Sequence, residues 1–304
     1  MRMEKGQQNV SGFVVLHYLA YDMTCRCMDT LLRSFPGDSI HIALVDNASP
    51  DGSGAKLERR YAADGRVTVI RNTSNLGFAR GNNAGYSYLR EHFPCSFITV
   101  INNDVLIDDP EFMTKVGAVH SDTGFDVLGP DIVNPASGKH QNPAKRDDDR
   151  HLRGYSPAEF EALEAKYSDA LRHFKWKRFK WDIKRSLFPS LIRPKATPVP
   201  AHIVPRMEGV VLHGACLVFS GHYISVRPQC FNPDTFLYFE EDLLHYECRR
   251  DGLRMVYDAS VSVKHLEDVT TDEMFRSSTA KDEFKLRESL RSIRVIRALM
   301  QSDH

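Results

Sequence analysis

The stretch "FITVINND", residues 97 to 104, is a run of apolar and β-branched residues that ends at two amides and a carboxylate. A short run of this kind that stops at turn-forming residues predicts a buried strand. Similar runs precede it in the chain, and helical segments separate them: "GFVVLHY" at 12–18, "HIALVDN" at 41–47 and "VTVIRN" at 67–72. Strands that alternate with helices at this spacing predict an α/β fold with a doubly wound, mainly parallel sheet flanked by helices.

Polar residues stand at the end of each of these runs. The ends read His17-Tyr18, Asp46-Asn47, Arg71-Asn72 and Asn102-Asn103-Asp104. In open α/β sheets, ligands bind beyond the carboxyl ends of the strands. The sequence therefore predicts that these four clusters meet at one edge of the sheet and form a binding site.

Composition excludes several classes of protein. The chain has 304 residues, 42% of them hydrophobic, which is enough for one large core or for a core with an appended subdomain. Forty basic residues balance forty acidic ones, so no global basic field is present and nucleic acid is not an expected partner. Six scattered cysteines without a paired spacing indicate reduced thiols and a cytoplasmic location. No apolar run reaches the roughly 20 residues that span a bilayer, so we do not expect an integral membrane protein.

The chain divides into three parts by composition. Residues 1–135 carry the strand and helix alternation, and residues 136–206 form a charged and aromatic helical insert in which "SPAEFEALEAKY" opens on a good helix cap. Residues 207–304 return to buried character. In this last part, "TFLYFEEDLLHYECRRDG" begins as a strand or turn and becomes a helix, "LRMVYDASVSVKHLED" predicts a strand pair, and "KDEFKLRESLRSIRVIRALM" predicts a final helix on the body.

Eight motifs, in order along the chain, resemble those of a known family. They are "VVLHY", "LVDNASPDGS", "NLGFARGNNAG", "INNDVLI", "GPDIVNP", "HGACLVFS", "FLYFEEDLLHYECRRDG" and "VSVKH". Together they resemble family 2 glycosyltransferases of the GT-A fold, especially the rhamnosyltransferase-like branch that builds bacterial surface polysaccharides. The resemblance covers residues 12–136 and 208–268. It implies a UDP- or dTDP-sugar donor, with rhamnose as the first expected sugar, and a glycan or lipid-linked acceptor.

The resemblance also implies a divalent metal, Mn²⁺ or Mg²⁺, which stabilises the charge that develops on the leaving diphosphate. Asp104 stands where the family carries its Asp-x-Asp-type motif and is the expected ligand, with Asn103 nearer the ribose or a bound water. His265, at the end of "VSVKH", resembles the second metal ligand of the family. The alternative is that these residues only end their strands, because Asn and Asp favour turns.

Recognition of the nucleotide is expected at the earlier strand ends. Asp46 can accept a hydrogen bond from the ring N–H of uracil or thymine, although a turn-capping role is also open to it. Tyr18 can stack on the base or pack at the edge of the sheet. Arg71 and Asn75 line the adjacent loop. Arg80 can meet the diphosphate, but it stands where many members of the family have glycine.

Activation of the acceptor is expected within residues 238–252. By resemblance, Glu241 matches the catalytic carboxylate that takes the proton of the acceptor hydroxyl, and Glu240 is its neighbour. If this stretch is extended, the two side chains point to opposite sides. Leu243 and Glu247 depart from the Asp and Arg usual in the family, so a solvated acidic helix start stays open. A nucleotide-sugar-binding protein without turnover is accordingly the alternative function.

Two further segments have competing interpretations. The segment "HFKWKRFKWDIKRSLFPSLIRPK", residues 173–195, is basic and aromatic, which favours peripheral contact with an anionic membrane surface or a lipid diphosphate. A subdomain packed on the catalytic body explains it equally. "RDDDR", residues 146–150, is a more literal Asp-x-Asp than the sequence around Asp104, but it follows no buried strand and is expected to be a solvated loop.

Overall fold

The computed structural model describes residues 10–37, 39–143, 153–176, 204–266 and 278–303. Its strands are β1 (Val10–His17), β2 (Ile40–Asp46), β3 (Val67–Arg71), β4 (Cys95–Asn102), β5 (Val105–Leu106), β6 (Val127–Asn134), β7 (Lys139–His140), β8 (Arg206–Glu208), β9 (Cys216–Ser220) and β10 (Met255–His265). Its helices are α1 (Tyr21–Ser34), α2 (Ser53–Tyr61), α3 (Gly77–His92), α4 (Phe112–Thr123), α5 (Pro157–Arg172), α6 (Gly221–Val226), α7 (Glu240–Arg250) and α8 (Ser278–Ser302).

One sheet joins all the strands of the described ranges. Its main path runs β3-β2-β1-β4-β9-β6-β10-β5, while β7 pairs with β6 and β8 pairs with β10. The first four strands are parallel, and β6 and β10 are parallel to each other. Between these two groups, β9 runs antiparallel to both β4 and β6. The predicted mainly parallel α/β sheet flanked by helices is confirmed.

Two hydrophobic clusters cover the two faces of the sheet. Alternate residues of β1 point to opposite faces, with Phe13 and Val15 in one cluster and Val14 in the other. Helices α1, α2 and α4 contribute to the first cluster, and α3, α6 and α7 contribute to the second. The central strands are buried on both faces, which explains why their sequences are continuous apolar runs.

A third cluster joins the insert to the final helix. Phe160 of α5, Leu243 of α7 and Ile296 of α8 are each at most 1% exposed and belong to this cluster. Helix α5 begins as predicted, because Ser156 and Glu159 form a reciprocal capping box. The final helix packs on the body as predicted, through α5 and α7. The division of the chain at residues 135 and 206 stays a prediction.

Two sequence predictions about local structure are wrong. The described part of the predicted strand pair, residues 253–266, holds one strand instead, Met255–His265, with an irregularity in its pairing between Asp258 and Ser262. The stretch that contains Glu240 and Glu241 is not extended, because helix α7 begins at Glu240. Neighbours on a helix are about 100° apart, so strand alternation does not separate these two carboxylates.

The structure describes only a small part of the two segments that had competing interpretations, residues 146–150 and 173–195. Residues 146–150 and most of the basic aromatic segment, from residue 177 onward, lie outside the described residues. Trp176, just before that point, is 57% exposed. No helix among the described residues is both long enough and apolar enough to cross a membrane.

Candidate active site

The predicted binding edge is formed where the strand order reverses. Strands β2 and β3 follow β1 on one side, whereas β4 lies on the other side of β1. The pairing aligns His17 with Asp46, Asp46 with Arg71, and Leu16 with Asn102. The predicted polar ends therefore lie side by side. In open α/β sheets, such a switch point is where the crevice for a ligand opens.

Asp104 and His265 come together at this edge although they are distant in the chain. Strand β5 pairs antiparallel with β10, so that His265 aligns with Val105, and Leu266 N donates to Asp104 O at 3.0 Å. The two side chains meet with His265 Nε2 3.3 Å from Asp104 Oδ1. Both residues are buried, at 7% and 5% exposure. A carboxylate oxygen and an imidazole nitrogen are thus directed to one place.

The chemistry of this pair fits a divalent cation. Asp104 Oδ1 is buried without a hydrogen-bond partner among the described residues, since its 3.3 Å approach to His265 lacks hydrogen-bond geometry. His265 Nδ1 lies 2.8 Å from Gln141 Oε1, which can only accept. In the neutral ring, this contact places the proton on Nδ1 and leaves the lone pair of Nε2 toward Asp104. A second-neighbour contact of this kind fixes the tautomer of metal-binding histidines.

The protein supplies few ligands to such an ion. No group of three or more His, Cys, Asp or Glu side chains with suitable spacing occurs in the ranges that the structure describes. A cation held by Asp104 and His265 alone keeps most of its coordination positions open. Open positions are typical of cations that bind phosphate oxygens and water together with one or two carboxylates.

The loop before β9, residues 213–215, lies beside His265 and also contacts Glu241. The ring of His213 lies with its centroid 5.8 Å from that of His265. The next residue, Gly214, donates its backbone N–H to Glu241 Oε1 at 3.2 Å. Ala215 O accepts from Asn102 N at 3.0 Å, which fixes this loop at the end of β4. The candidate metal ligands and the candidate base therefore adjoin one loop of three residues.

The two glutamates at the start of α7 have different environments. Glu240 is 4% exposed, and burial, with the neighbouring charge of Glu241 next in importance, raises its pKa to about 8. Its Oε1 has no hydrogen-bond partner in the described ranges. Glu241 is only partly buried and accepts from Gly214. At neutral pH, Glu240 is therefore mostly protonated, and its burial keeps it away from an acceptor, whereas Glu241 is partly accessible and is the better placed base.

Backbone strain occurs beside both groups of site residues. The described non-glycine residues with positive φ are Leu19, Ala20, Ala48, Tyr238 and Phe239. The first three follow β1 and β2 at the binding edge, and the last two immediately precede Glu240. Each such conformation costs about 1–3 kcal/mol and is found mostly at functional sites. Phe239 is held by ring contacts with Tyr155, Phe160 and Tyr167.

The residues predicted to bind the nucleotide base lie at the ends of β1, β2 and β3. Asp46 is 3% exposed, accepts from Ser49 N at 3.0 Å, and lies 4.0 Å from Arg71 Nε. Its carboxylate packs on Gly54, where an added Cβ would lie 1.8 Å from Asp46 Oδ2. Tyr18 is half-buried and directly follows His17, which aligns with Asp46. The turn-capping contact of Asp46 is thus present, and its role in base recognition stays a prediction.

Asn75 and Arg80 contact other parts of the protein. Asn75 Oδ1 accepts from Asn47 Nδ2 at 3.0 Å and from Gly77 N at 2.9 Å, which shapes the loop before α3. Arg80 Nε donates to Pro233 O at 2.6 Å. Gly77 allows the close approach of Phe236 O, which would lie 2.3 Å from an added Cβ. These contacts join α3 to the second half of the chain, and the ligand contacts predicted for Asn75 and Arg80 remain predictions.

Sequence reasoning missed several polar residues of the site. Gln141 and His213 contact His265, and Thr24 accepts from Asn103. The sequence "HG" immediately before the buried run of β9 was a usable signal for His213. No local pattern distinguishes Gln141, because its contact depends on the pairing of β6, β7 and β10.

The fold and this edge define an α/β protein with polar side chains clustered at a strand-order switch, which is the usual place of a ligand crevice in open α/β sheets. The model of the family described as "Glycosyl transferase family 2" matches residues 13–185, which is more than half of the chain. The chain belongs to this family and is a glycosyltransferase. No curated protein matches its sequence.

Solved structures resemble the fold. The mannosyltransferase PcManGT from Pyrobaculum calidifontis, in complex with GDP-Man and Mn²⁺, aligns with a TM-score of 0.50 and 12% identity over 94% of this chain and 70% of its own. Structures of S. aureus TarS 1-349 with UDP and with UDP-GlcNAc align with a TM-score of 0.36, over 47% of this chain and 39% and 38% of theirs, at 16% and 14% identity. The first of these similarities supports the GT-A fold.

Proposed function

We propose that the protein is an inverting, metal-dependent transferase that moves one sugar from a nucleotide-diphosphate sugar to a hydroxyl of an acceptor. The observation that carries the proposal is that Asp104 and His265 approach each other beside the loop of residues 213–215, which also holds Glu241 through the Gly214 N–H. Sugar transfer requires a group that stabilises the leaving diphosphate and a base that accepts the hydroxyl proton. The three residues supply ligands and a base of these two kinds at one edge of the sheet.

Asp104 and His265 would hold the cation, with Asn103 beside them. When bound, a divalent cation stabilises the negative charge on the departing diphosphate as a Lewis acid. We favour Mn²⁺ over Mg²⁺, because an imidazole ligand suits the softer ion. The similar fold of PcManGT was solved with Mn²⁺ and GDP-Man, which supports a cation and a nucleotide sugar in this class of site.

Glu241 takes the proton of the acceptor hydroxyl. Its carboxylate is partly accessible and is held by the backbone N–H of Gly214. Glu240 is mostly protonated at neutral pH and is buried, so the proton is taken by Glu241. Attack from the side opposite the leaving group inverts the anomeric carbon, and Glu241 has to lie within about 3 Å of the attacking oxygen.

The nucleotide lies along the ends of β1, β2 and β3. Asp46 accepts from the ring N–H of uracil or thymine, Tyr18 stacks on the base, and Arg71 lies beside Asp46. This set favours a UDP- or dTDP-sugar, with rhamnose as the first sugar to test. Asn75 shapes the loop beside the base, and Arg80 is the expected diphosphate contact on α3.

The acceptor is proposed to be a glycan or a lipid-linked sugar of surface polysaccharide synthesis. A cytoplasmic enzyme of this kind meets its acceptor at the inner face of the membrane, and the basic aromatic segment favours peripheral contact there. Replacement of Lys175, Lys177, Arg178 and Lys180 by Glu is expected to abolish flotation with anionic liposomes. Unchanged flotation would contradict membrane contact by this segment.

A second function, nucleotide-sugar binding without turnover, is favoured by one observation. Leu243 is buried in the third cluster and Glu247 accepts from Asn232 Nδ2 at 2.8 Å, so the two departures from the family motif have structural roles. An enzyme releases UDP slowly from UDP-sugars in the presence of Mn²⁺ even without its acceptor, whereas a binding protein does not.

A thermal-shift screen tests the proposed function directly. UDP, dTDP and GDP, each with and without Mn²⁺, are compared with their sugar derivatives, because a ligand of the folded state raises the melting temperature by mass action. We expect UDP or dTDP with Mn²⁺ to give the largest shift. No shift with any nucleotide would contradict the proposal.

A further inference from the structure

A chain of hydrogen bonds crosses the binding edge between β4 and α2. Asn103 Nδ2 donates to Thr24 Oγ1 at 2.9 Å, and Thr24 Oγ1 lies 2.7 Å from His17 Nδ1. On the other side of the ring, His17 Nε2 lies 2.8 Å from Ser53 Oγ, which donates to Asp51 Oδ1 at 2.5 Å. Thr24, His17 and Ser53 are 0% exposed. The chain therefore connects the residue beside the metal pair with the first turn of α2, without water between.

All the hydrogen bonds of this chain run in the same donor-to-acceptor direction, from Asn103 to Asp51. Burial lowers the pKa of His17 against the opposing charges of Asp46 and Asp51, so the ring is neutral at neutral pH. The hydroxyl of Ser53 donates to Asp51, so His17 donates to Ser53 from Nε2 and accepts at Nδ1 from Thr24. The alternative acceptor for Thr24, Ala20 O, is more distant at 3.2 Å. Hydrogen bonds that share one direction polarise and strengthen one another.

The two ends of the chain adjoin the two ends of the proposed donor site. Ser53 is followed by Gly54, which lies directly against the carboxylate of Asp46. At the other end, Asn103 precedes Asp104. His17 is a rigid ring between them, in the last position of β1, where it aligns with Asp46. A displacement of the ring is therefore transmitted to both ends.

We propose that His17 is a positioning residue that joins the nucleotide end and the metal end of the site through Thr24 and Ser53. This inference rests on the proposed function, because it assigns the two ends of the chain to the two parts of one donor. It assigns to His17 no contact with the reacting atoms. As a consequence, Nδ1 supports the metal end of the site through Thr24, and Nε2 supports the nucleotide end through Ser53.

Two substitutions separate the halves of the ring. In His17→Asn, the amide oxygen can accept from Thr24 as Nδ1 does, but the side chain is too short for Ser53. In His17→Gln, the longer amide can donate to Ser53 as Nε2 does. We expect His17→Asn to weaken UDP binding about tenfold and to leave Mn²⁺ affinity within about twofold. We expect His17→Gln to weaken Mn²⁺ binding about tenfold and to leave UDP affinity within about twofold. Loss of a supporting hydrogen bond of this kind typically lowers affinity about 10–100-fold.

The experiment measures the two ligands separately on the full chain. UDP binding is measured by calorimetry in EDTA, and Mn²⁺ binding is measured by electron paramagnetic resonance without nucleotide. His41→Asn is the matched control, because His41 is also a buried strand histidine, bonded to Thr68 Oγ1 at 2.9 Å, in the second position of β2. It reports the effect of a loss of stability alone.

Opposite effects of the two His17 variants on the two ligands would support the inference. It would be overturned if both variants weakened both ligands equally, in proportion to their melting temperatures and as His41→Asn does. Wild-type binding that neither variant changes would also overturn it, and would leave the proposed function intact. Absence of UDP and Mn²⁺ binding in the wild-type protein would contradict both.

Discussion

Glu240 and Glu241 differ in what their surroundings allow them to do. Glu241→Gln keeps the acceptor of the Gly214 N–H but cannot take a proton, so we expect the rate of transfer to fall by about 100-fold or more with donor affinity nearly unchanged. Glu240→Gln imitates the protonated carboxyl that burial favours, and it should cost much less. The measurement is UDP release at saturating donor. The reverse order of effects would make Glu240 the base.

The protonation of Glu240 also predicts a pH dependence of stability. Its pKa is about 8 in the folded protein and near 4.5 in the unfolded chain. Between these values the unfolded chain ionises while the folded protein stays protonated, so stability falls as pH rises, by at most about 1.4 kcal/mol per pH unit.

The substitution Glu240→Gln removes this fall in stability with rising pH, because glutamine does not ionise. In denaturant unfolding, the stability of the variant relative to the wild type should increase from about pH 5 to about pH 8. A difference between Glu240→Gln and wild type that is constant across this range would show that Glu240 ionises normally.

Single residues of the site could be predicted from the sequence when they stand at the end of a predicted strand. Asp104 and His265 stand at such ends, and the structure brings them within 3.3 Å. Gln141 and His213, which orient His265, could not be predicted, because their positions depend on the antiparallel partners of β6 and on the loop before β9. Periodicity reports which face a residue occupies and carries no information about which distant segment lies beside it.

At the scale of elements, the packing of α2 against Asp46 depends on a glycine in the first turn of the helix. Gly54 lies in the first turn of α2, and a Cβ there would be 1.8 Å from Asp46 Oδ2. Gly54→Ala should displace the Asp46 carboxylate and weaken nucleotide binding about tenfold, roughly the loss of one hydrogen bond to a charged group. Calorimetric titration with UDP measures the effect.

Gly117→Ala is the matched control for this prediction. Gly117 lies within α4, and an added Cβ meets no atom within 4 Å. Alanine is the better helix former by about 1 kcal/mol, so the control should bind UDP normally and gain stability. Equal binding by both alanine variants would mean that Asp46 does not need its present position.

Elements were predicted well where a hydrophobic period was long and poorly where backbone strain decided the conformation. The first four strands and their helices agree with the apolar runs. The start of α7 does not, because Tyr238 and Phe239 adopt left-handed conformations that their side chains disfavour locally. Packing of Phe239 on α5 enforces this turn, and packing between distant segments is not encoded in the stretch itself.

At the scale of the whole molecule, the third cluster connects α5 of the insert to Phe239, two residues before the proposed base. Phe160 of α5 is 1% exposed and its ring lies 6.3 Å from that of Phe239, next to Glu240. Phe160→Ala should lower stability by about 3–5 kcal/mol. It should also lower turnover more than UDP affinity, because it loosens the start of α7 and leaves β1 to β3 unchanged.

Phe125→Ala provides the comparison for that prediction. Phe125 is equally buried but packs with Phe97 and His120 on the other face of the sheet. A similar loss of stability without a selective loss of turnover is expected, with activity and UDP affinity measured well below both melting temperatures. The same loss of turnover in both variants would assign the effect to stability alone.

The proposed sugar transfer depends on Asp104 and His265 holding one divalent cation. Mn²⁺ binding followed by electron paramagnetic resonance in the presence of UDP tests this most directly, with Asp104→Asn, His265→Gln and His222→Ala. His222 on α6 pairs with Asp126 at 2.6 Å, and this more exposed histidine–carboxylate pair is the control. We predict that the first two variants lose at least about tenfold in Mn²⁺ affinity and that His222→Ala binds as the wild type does. Unchanged Mn²⁺ affinity in Asp104→Asn and His265→Gln would contradict the proposed metal site.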